Sequence, residues 1–349
     1  MQTDRRPPPR TRRPTQADVA RRAAVSQTVV SYVLNDNRSV SIAPETRRRV
    51  LDAIAALGYV PDDAARSLRS RRTLTIAAVI PDITNPFYPA FIRGIQDVAG
   101  ANGYDLIAYN TDGTLEGERR GLDTVRRGRV DGLIINPFHL DPGDILPILT
   151  GGTPVVINGE YHLDAFPSDL PLDRVYVPGD AAARSLVEFL ISQGHTRIGM
   201  IAGEDATPPR EGRVRGYRQA LATHHIPLEE ALIRGGDFTE AGGYEAMREL
   251  LALRPRFTAV FAANDLMALG AFIACRERGI RVPADIAIAG FDDIPAARLV
   301  SPALTTVAQF PERTGRHAAE QLMDRLGGRY TGPTRLDLLQ HKLIVRESA

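Results

Sequence analysis

Residues 15–34 constrain the fold of this chain more than any other segment, because they predict two short amphipathic helices joined by a tight turn. Thr15 followed by Asp18 is typical of a capping box at the start of the first helix. Ser26 is a favoured N-cap residue for the second helix. The apolar residues of that second helix share one face at helical spacing, namely Val29, Val30, Val33 and Leu34.

A third helix is predicted to follow, beginning near Pro44 and ending at Gly58. Proline is favoured in the first turn of a helix, and glycine is favoured in the left-handed conformation just beyond its end. The residues expected to be buried lie at helical spacing and are Val50, Ala53, Ile54 and Leu57. Three such helices can close a small core over residues 15–60.

The polar face of the second helix carries side chains that form hydrogen bonds. These are Gln27, Thr28, Ser31 and Tyr32, with Ser26 at the helix start. A short helix with such a face suits the major groove of DNA, so we interpret these five residues as candidate base readers. Amphipathic helix pairs also occur in proteins that do not bind DNA, and the pattern alone leaves both interpretations open.

The charge distribution favours nucleic-acid binding by the N-terminal part. Residues 1–72 contain fifteen Arg, no Lys and seven acidic residues, a formal charge of +8. Because the whole chain carries +1, residues 73–349 carry −7. Such asymmetry is expected when one module neutralises phosphates and the rest must not adhere to them.

Residues 1–14 are rich in Arg and Pro and contain no apolar run, so they predict a disordered basic arm. Neither a packed core nor a signal peptide fits this composition. The arm could lie on phosphates or in a minor groove, or serve only as a solubilising leader.

Residues 73–349 alternate short apolar runs with longer helical patterns. The runs include LTIAAVIP, VDGLIIN, TPVVIN, RIGMIAG, TAVFAAN and DIAIAGF. Buried parallel strands read as continuous apolar runs, and their alternation with helices predicts parallel sheets covered on both faces. The segment is long enough for two domains.

Polar residues follow several of these runs, at the expected carboxyl ends of strands. They are Asp82, Asn136, Asn158, Asn264, Asp265, Asp292 and Asp293. Small-molecule sites in open α/β sheets lie at such ends, so the pattern predicts a cleft suited to hydroxyl groups. The alternative is that these residues cap the strands.

The motifs, taken in order, resemble those of the lac-repressor family of bacterial transcriptional regulators. They are DVARRAAVS, SYVLN, TRRRV, LGYVPDDAARSL, IPDITNPFYPAFIRGI, RVDGLII, GHTRIGMIAG, VFAANDLMALGA, RVPADIAIAGFDDI and LTTVAQ, and only residues 1–14 fall outside the resemblance. It implies an all-α helix-turn-helix head at 15–60, a hinge helix at 61–72, and an α/β core like that of periplasmic sugar-binding proteins. The core would have two subdomains around one cleft, joined by three crossover strands. The first subdomain would comprise residues 73–178 and 309–335, and the second residues 179–308 and 336–349.

The family's hinge helix, which folds on DNA, corresponds to PDDAARSLRSRR in this chain. The resemblance implies that Leu68 is pushed between base pairs in the minor groove, with Ala65, Arg66 and Arg69 beside it. Such an apolar wedge unstacks a base step at a cost offset by contacts that the bent duplex allows. An ordinary linker helix is the alternative.

The resemblance also implies the residues that hold a small-molecule effector. Phe87 and Tyr88 would wall the cleft, and Phe238 would stack on the ligand from the other side. Arg213 would form charge-assisted hydrogen bonds to ligand hydroxyls or a carboxylate. Asn264 and Asp292 would complete the set of ligand contacts, which fits a sugar. Without the family, core aromatics and strand-end caps would be the simpler interpretation. Asp265 and Asp293 are expected to be structural, since neighbouring residues at a strand end cannot both face the cleft.

The head departs from the family pattern at several positions. Ala24 stands where glycine is usual in the turn, Val29 replaces a threonine that reaches a phosphate, and Tyr32 replaces a common arginine. Tyrosine cannot make the bidentate contact of arginine to guanine. Asp62, where asparagine is usual, places an anion near phosphates. The operator is therefore expected to differ from the commonest half-site of the family.

Enzyme motifs are absent from the sequence, which contains no HExxH, GxSxG or P-loop pattern, and Cys275 is its only cysteine. The histidines show no metal-ligand spacing, so we expect no catalysis, no metal and no cofactor. No apolar stretch is long enough to span a membrane and no export signal is evident, so a cytoplasmic protein is expected.

These observations predict a DNA-binding transcriptional regulator, most simply a repressor. It would bind a near-palindromic operator as a homodimer and respond to a sugar-like effector in the cleft. The alternative is a non-exported sugar- or nucleoside-binding protein without specific DNA binding. The sequence does not identify the effector or its direction of action.

Overall fold

A computed structural model describes residue 12 and residues 14–34, 40–60, 72–161 and 166–349 of the 349-residue chain. The chain divides into two compact units, residues 1–71 and residues 72–349. Each unit has its own hydrophobic core. The predicted arm at 1–14, apart from Arg12 and Pro14, and the predicted hinge helix, apart from Arg72, lie outside the described residues.

The first unit contains the three predicted helices. They are α1 (Gln16–Ala23), α2 (Gln27–Leu34) and α3 (Pro44–Leu57). Thr15 and Asp18 form the expected capping box, and Ser26 Oγ accepts a hydrogen bond of 3.3 Å from the backbone N–H of Val29. Val19, Val30 and Val50, one from each helix, are fully buried against one another in the core. This three-helix prediction is confirmed.

The turns that follow α1 and α3 both use the left-handed backbone conformation. Gly58 has φ of +58° after α3, where glycine was predicted. Ala24 has φ of +53° after α1, so the residue that replaces the family's glycine bears the strain of a Cβ in this region.

The second unit alternates strands and helices. Its first elements are β1 (Thr75–Ile80), α4 (Phe87–Ala101), β2 (Asp105–Asn110), α5 (Leu115–Arg126), β3 (Gly132–Ile135), α6 (Pro142–Thr150), β4 (Val155–Asn158) and β5 (Leu172–Tyr176). The next are α7 (Gly179–Ser192), β6 (Ile198–Ala202), α8 (Pro208–Thr223), β7 (Ile233–Gly235), α9 (Glu240–Ala252), β8 (Ala259–Ala262), α10 (Asp265–Glu277) and β9 (Ala287–Ala289). The last are β10 (Thr306–Ala308), α11 (Pro311–Leu326), β11 (Arg335–Leu338) and β12 (Lys342–Ile344).

Two parallel sheets organise this unit. One has six strands in the order β11-β5-β4-β3-β1-β2, and the other has four in the order β7-β6-β8-β9. The predicted apolar runs form these strands, and β3, β4, β6 and β8 are buried along their whole length. The predicted α/β class with parallel sheets is confirmed.

The chain passes between the two sheets three times. The first crossing follows β5, where the chain leaves the six-stranded sheet. The second follows β10, after which α11 packs on α4 in the six-stranded half. The third follows β11, after which β12 pairs antiparallel with β10. Because β11 pairs with β5, the six-stranded half extends to Leu338, three residues beyond the boundary that we predicted at 335.

A buried ion cluster holds β11 in place. Asp173 on β5 is fully buried and accepts hydrogen bonds from Arg325 on α11 and Arg335 on β11 at 2.7–2.8 Å. Burial alone would raise the pKa of Asp173, but the two guanidinium groups hold it below its ordinary value. The cluster ties the returning segment to the sheet that it rejoins.

Candidate functional site

The exposed surface of α2 carries the predicted base-reading residues. Ser26, Gln27 and Thr28 are exposed, and Ser31 and Tyr32 are half-buried. Val30 and Val33 are buried on the opposite side of the helix. The predicted division of α2 into a packing face and a polar face is therefore present in the folded head.

The residues predicted to enter the minor groove, Ala65, Arg66, Leu68 and Arg69, lie outside the described part of the chain. Asp62 lies outside it as well. Their roles remain predictions from the sequence.

A cavity of about 510 Å³ lies within the second unit and is lined from both sheets. Its volume falls within the range typical of small-molecule sites, roughly 300–1,000 Å³. All six residues predicted to hold an effector line it, namely Phe87, Tyr88, Arg213, Phe238, Asn264 and Asp292. Residues far apart in the sequence therefore meet at one site, at the carboxyl ends of parallel strands, as predicted for this fold class.

Aromatic rings form part of the cavity wall. Phe87 and Tyr88, at the start of α4, meet edge to face with ring centroids 5.2 Å apart. Phe238, before α9, approaches Phe138 with centroids 6.0 Å apart. Faces of aromatic rings suit the C–H surface of a sugar ring, while the surrounding polar atoms suit its hydroxyl groups.

The position of Phe238 depends on Gly203, which follows β6. A Cβ at residue 203 would lie 1.9 Å from the Phe238 ring, so no larger residue fits beneath it. Phe238 itself has φ of +63°, an uncommon conformation for a non-glycine residue. This backbone conformation and the space above Gly203 together fix where the ring lies on the cavity wall.

Arg213, Asp292 and Gln309 form the buried polar floor of the cavity. Arg213 Nη1 donates to the carbonyl oxygen of Ala263 at 2.6 Å, and its guanidinium lies 4.2 Å from the ring centroid of Phe291. Its Nη2 is 3.8 Å from Asp292 Oδ1, which is an ion pair without a direct hydrogen bond. Gln309 Nε2 donates to the same Asp292 oxygen at 2.6 Å.

Burial governs the ionisation of this floor. It raises the pKa of Asp292 to about 6, although the Arg213 charge and the Gln309 hydrogen bond both oppose the shift. Burial likewise lowers the pKa of Arg213, opposed by the charge of Asp292. Asp292 also has a backbone φ of +120°, which is unfavourable for a non-glycine residue.

Asn264 lines the cavity, and both polar atoms of its side chain form hydrogen bonds within the protein. Its Oδ1 caps α10 by accepting from the Met267 N–H at 2.9 Å, and its Nδ2 donates to the Phe238 carbonyl oxygen at 2.8 Å. The two interpretations left open for this residue, strand-end cap and cleft residue, therefore both describe its geometry. It fixes the loop that carries Phe238.

Asp265 and Asp293 are held by structural contacts, as expected. Asp265 is fully buried and accepts from the Ile294 N–H and the Thr306 hydroxyl. Asp293 pairs with Arg346. Neither residue lines the cavity.

Phe138 lines the cavity and was not among the predicted site residues. Its loop follows β3 and is held by Glu118, a fully buried carboxylate on α5. Glu118 accepts the backbone N–H groups of Phe138, His139 and Leu140 at 2.6, 3.1 and 2.9 Å. Burial raises the pKa of Glu118, and the three N–H donors oppose that shift. No local motif marks this arrangement, because the partners are about twenty residues apart.

Gln309 and Glu160 were missed as well. Gln309 follows β10 in the LTTVAQ motif, and its position after a strand could have identified it. Glu160 follows β4, lines the cavity and pairs with Arg215 of α8. The Gly212 Cβ position lies 2.8 Å from Glu160 Oε1, so glycine there allows the close approach.

Within the described residues, no group of three or more His, Cys, Asp or Glu side chains could hold a metal ion. Cys275 is buried in α10, where burial raises its pKa to about 12 and keeps it protonated. None of the described helices is both long and apolar enough to cross a membrane.

A helix-turn-helix head together with a two-sheet core that encloses a ligand-sized polar cavity defines a ligand-responsive, DNA-binding regulatory protein. Sequence profiles agree with each part. Residues 15–62 match the bacterial regulatory proteins of the lacI family, and residues 187–349 match the periplasmic binding protein-like domain.

Whole-chain relatives identify the family. The HTH-type transcriptional regulator CelR of Thermobifida fusca is 39% identical over 349 residues, covering 97% of this chain and 99% of the relative. The HTH-type transcriptional repressor CytR of Escherichia coli strain K12 is 35% identical, covering 96% of each chain. The chain therefore belongs to the lacI family of bacterial regulatory proteins, and the prediction of a DNA-binding transcriptional regulator is confirmed.

Solved structures show the same architecture. A complex of the transcriptional regulator CelR with cellobiose has a TM-score of 0.72 at 36% identity, covering 97% of this chain and all of that one. The lac repressor dimer bound to operator and the anti-inducer ONPF has a TM-score of 0.84 at 26% identity, covering 97% of this chain and 99% of that one.

Proposed function

We propose that the protein is a homodimeric transcriptional repressor that binds a near-palindromic operator and is controlled by a sugar-like effector in its cavity. Such a protein acts on the chromosome, so we place it in the cytoplasm. Binding of effector would shift the equilibrium between conformations that differ in operator affinity. The protein itself would perform no catalysis.

The observation that carries this proposal is the joint presence of an exposed recognition face on α2 and a cavity lined by aromatic rings and buried polar groups. The described lining supplies hydrogen-bonding and ionic groups around aromatic walls, which suits recognition of hydroxyl groups.

The relatives support the assignment of ligand and assembly. The structure of CelR, at 36% identity, contains cellobiose, and the lac repressor structure is a dimer on its operator. We transfer from them the sugar class of the effector and the dimeric assembly, because the similarity covers 97% of this chain in each case.

We assign roles to the parts of the chain accordingly. Residues 15–60 would read the operator through Ser26, Gln27, Thr28, Ser31 and Tyr32, and residues 61–72 would form the hinge. Residues 73–349 would form the effector-binding core, with its first subdomain extended to Leu338. Phe87, Tyr88, Arg213, Phe238 and Asp292 would contact the effector, with Asn264 fixing the Phe238 loop.

The experiment that tests the proposal is a selection of genomic DNA. Fragments retained by the full-length protein at near-physiological salt, in the presence of non-specific competitor, are sequenced with and without cellobiose. Enrichment of a near-palindrome beside transporter or catabolic genes is expected. Fragments without a common motif under either condition would overturn the proposal and favour a sugar- or nucleoside-binding protein without specific DNA recognition.

A further inference from the structure

The cavity carries a marked excess of negative charge. Six carboxylates are among its described lining residues, namely Asp82, Asp112, Glu160, Glu204, Asp237 and Asp292. Arg213 is the only cationic side chain among them. The formal charge of this described lining is therefore −5, or −4 when Arg215, which pairs with Glu160 from outside the lining, is counted.

The positions of the carboxylates divide the cavity into two zones. Asp292 lies on the buried floor, with 5% of its surface exposed. Asp112, Glu204 and Asp237 are exposed at the opening, and we call these three residues the acidic rim. Within the part of the chain that the structure describes, no ion pair involves a rim carboxylate. A ligand entering the cavity therefore meets uncompensated negative charge.

Arg213, the one cationic side chain of the described lining, already has partners within the protein. Arg213 pairs with Asp292, donates to the Ala263 carbonyl oxygen and lies against the ring of Phe291. Its charge is largely balanced by Asp292, so an incoming anion would find no net positive partner on the floor.

When ionised, the carboxylates of the lining can only accept hydrogen bonds. A hydroxyl group can donate to them, whereas an ionised phosphate or carboxylate only accepts and would face further acceptors.

We propose that this cavity selects hydroxyl-rich ligands without an acidic group and rejects phosphorylated or carboxylated sugars, with the acidic rim providing the repulsion. The inference rests on the proposed function, since it specifies the effector of the same site. It narrows the effector from sugars in general to glycosides and related polyols that are not anionic.

The test is a calorimetric titration of the full-length protein with matched sugars. The probes are glucose, cellobiose and maltose, the 6-phosphate of each, and the 6-O-methyl ether of each as an uncharged control for size. We expect at least one parent sugar to bind. At low salt, its 6-phosphate should bind at least about tenfold more weakly than the parent sugar. Its methyl ether should lose less affinity than the phosphate does. Raising the salt to about 0.5 M should narrow that difference, because salt screens repulsion at exposed groups.

A charge-neutralised rim separates repulsion from steric exclusion. The variant with Asp112→Asn and Glu204→Gln removes two rim charges and keeps side-chain shape. It should reduce the ratio of parent-sugar affinity to phosphate affinity by at least about threefold. The matched control, Glu45→Gln with Asp52→Asn, removes two exposed charges from the head and should change neither affinity.

Tighter binding of a phosphate than of its parent sugar would overturn the inference, as would a difference that neither salt nor the rim variant alters. Failure of every uncharged probe to bind would also count against it. Operator binding is measured on the same samples. A protein that binds its operator and releases it with a sugar phosphate would retain the proposed function and contradict only the charge selectivity.

Discussion

Gln309 donates a hydrogen bond of 2.6 Å from Nε2 to Oδ1 of Asp292, and this bond lies where the chain crosses from one half of the core to the other. Asp292 belongs to the loop after β9, whereas Gln309 lies between β10 and α11, the helix that packs on the six-stranded half. A ligand that contacts Asp292 therefore touches a group directly bonded to the crossover segment. This hydrogen bond directly connects a cavity residue to the segment that joins the two halves of the core.

Replacing Asp292 by asparagine should abolish the effector response and spare operator binding. Asparagine keeps the shape of the side chain but removes the charge that balances Arg213, and its amide can face Gln309 with a second donor. We expect sugar affinity to fall about tenfold or more, since loss of a charge-assisted hydrogen bond costs roughly 1.5–3 kcal/mol and Arg213 is left unpaired. Fluorescence anisotropy of the selected operator, with and without the best-binding uncharged sugar, measures both properties. An unchanged sugar response would remove Asp292 from the site.

Ligand affinity should depend on pH through Asp292, whose pKa is raised to about 6 by burial. If the carboxylate is the ligand-binding form, affinity should fall as the pH drops below about 6, by at most tenfold per pH unit for one linked proton. Protein stability should change in the opposite direction. Because the folded-state pKa exceeds the ordinary value of 3.8, the contribution of the protonated group is complete below 3.8 and is lost as the pH rises through about 6. Titrations of ligand affinity and of stability from about pH 5 to 8 should both show smaller slopes in Asp292→Asn. The stability slope should not vanish, because other buried groups such as Glu118, whose pKa is also raised, still contribute to it.

Truncating Glu118 to alanine should destabilise the core and weaken ligand binding together. The substitution leaves the N–H groups of residues 138–140 without their acceptor, which we expect to lower the free energy of unfolding by about 2–4 kcal/mol. Urea denaturation at neutral pH gives this value, and a sugar titration reports the displacement of Phe138. Glu116→Ala, an exposed position on the same helix, is the matched control and should change stability by about 0.5 kcal/mol or less.

Adding one methyl group at Gly203 should impair ligand binding through the position of Phe238. The new Cβ would overlap the ring at 1.9 Å, so the ring must leave its place on the cavity wall. We expect Gly203→Ala to fold and to bind sugar at least about tenfold more weakly, since an aromatic contact contributes roughly 0.5–1.5 kcal/mol beyond its buried area. Gly100→Ala, in open space on α4, serves as the control. Equal sugar affinity in the two variants would mean that the Phe238 ring is not a ligand contact.

Restoring glycine at position 24 should stabilise the head. Ala24 has φ of +53°, where a Cβ is unfavourable, so Ala24→Gly is expected to raise the free energy of unfolding of the head by about 1 kcal/mol. Ala56→Gly, at an exposed position inside α3, should lower it by about the same amount. Thermal unfolding followed by circular dichroism compares the two. Destabilisation by both substitutions would show that the turn does not need the left-handed conformation in solution.

Local signals in the sequence were sufficient for the head and for the strand pattern of the core. The capping pair Thr15 and Asp18, the N-cap Ser26 and the left-handed Gly58 act over three or four residues, so each can be read directly from the chain. Apolar runs likewise identified the buried strands, because a parallel strand covered on both faces must be apolar throughout. The family resemblance then placed six distant residues around one cavity.

Only the tertiary structure decided what those cavity residues do. Sequence position could not separate the role of Asn264 in capping α10 from a role in the cleft, or show that Glu118 holds the loop of Phe138. It also could not show that Arg213 is balanced by Asp292 while the rim carboxylates remain outside ion pairs in the described structure. Local propensity fixes helices and strands over a few residues, whereas hydrogen-bond partners, burial and net charge at a site depend on segments brought together from across the chain.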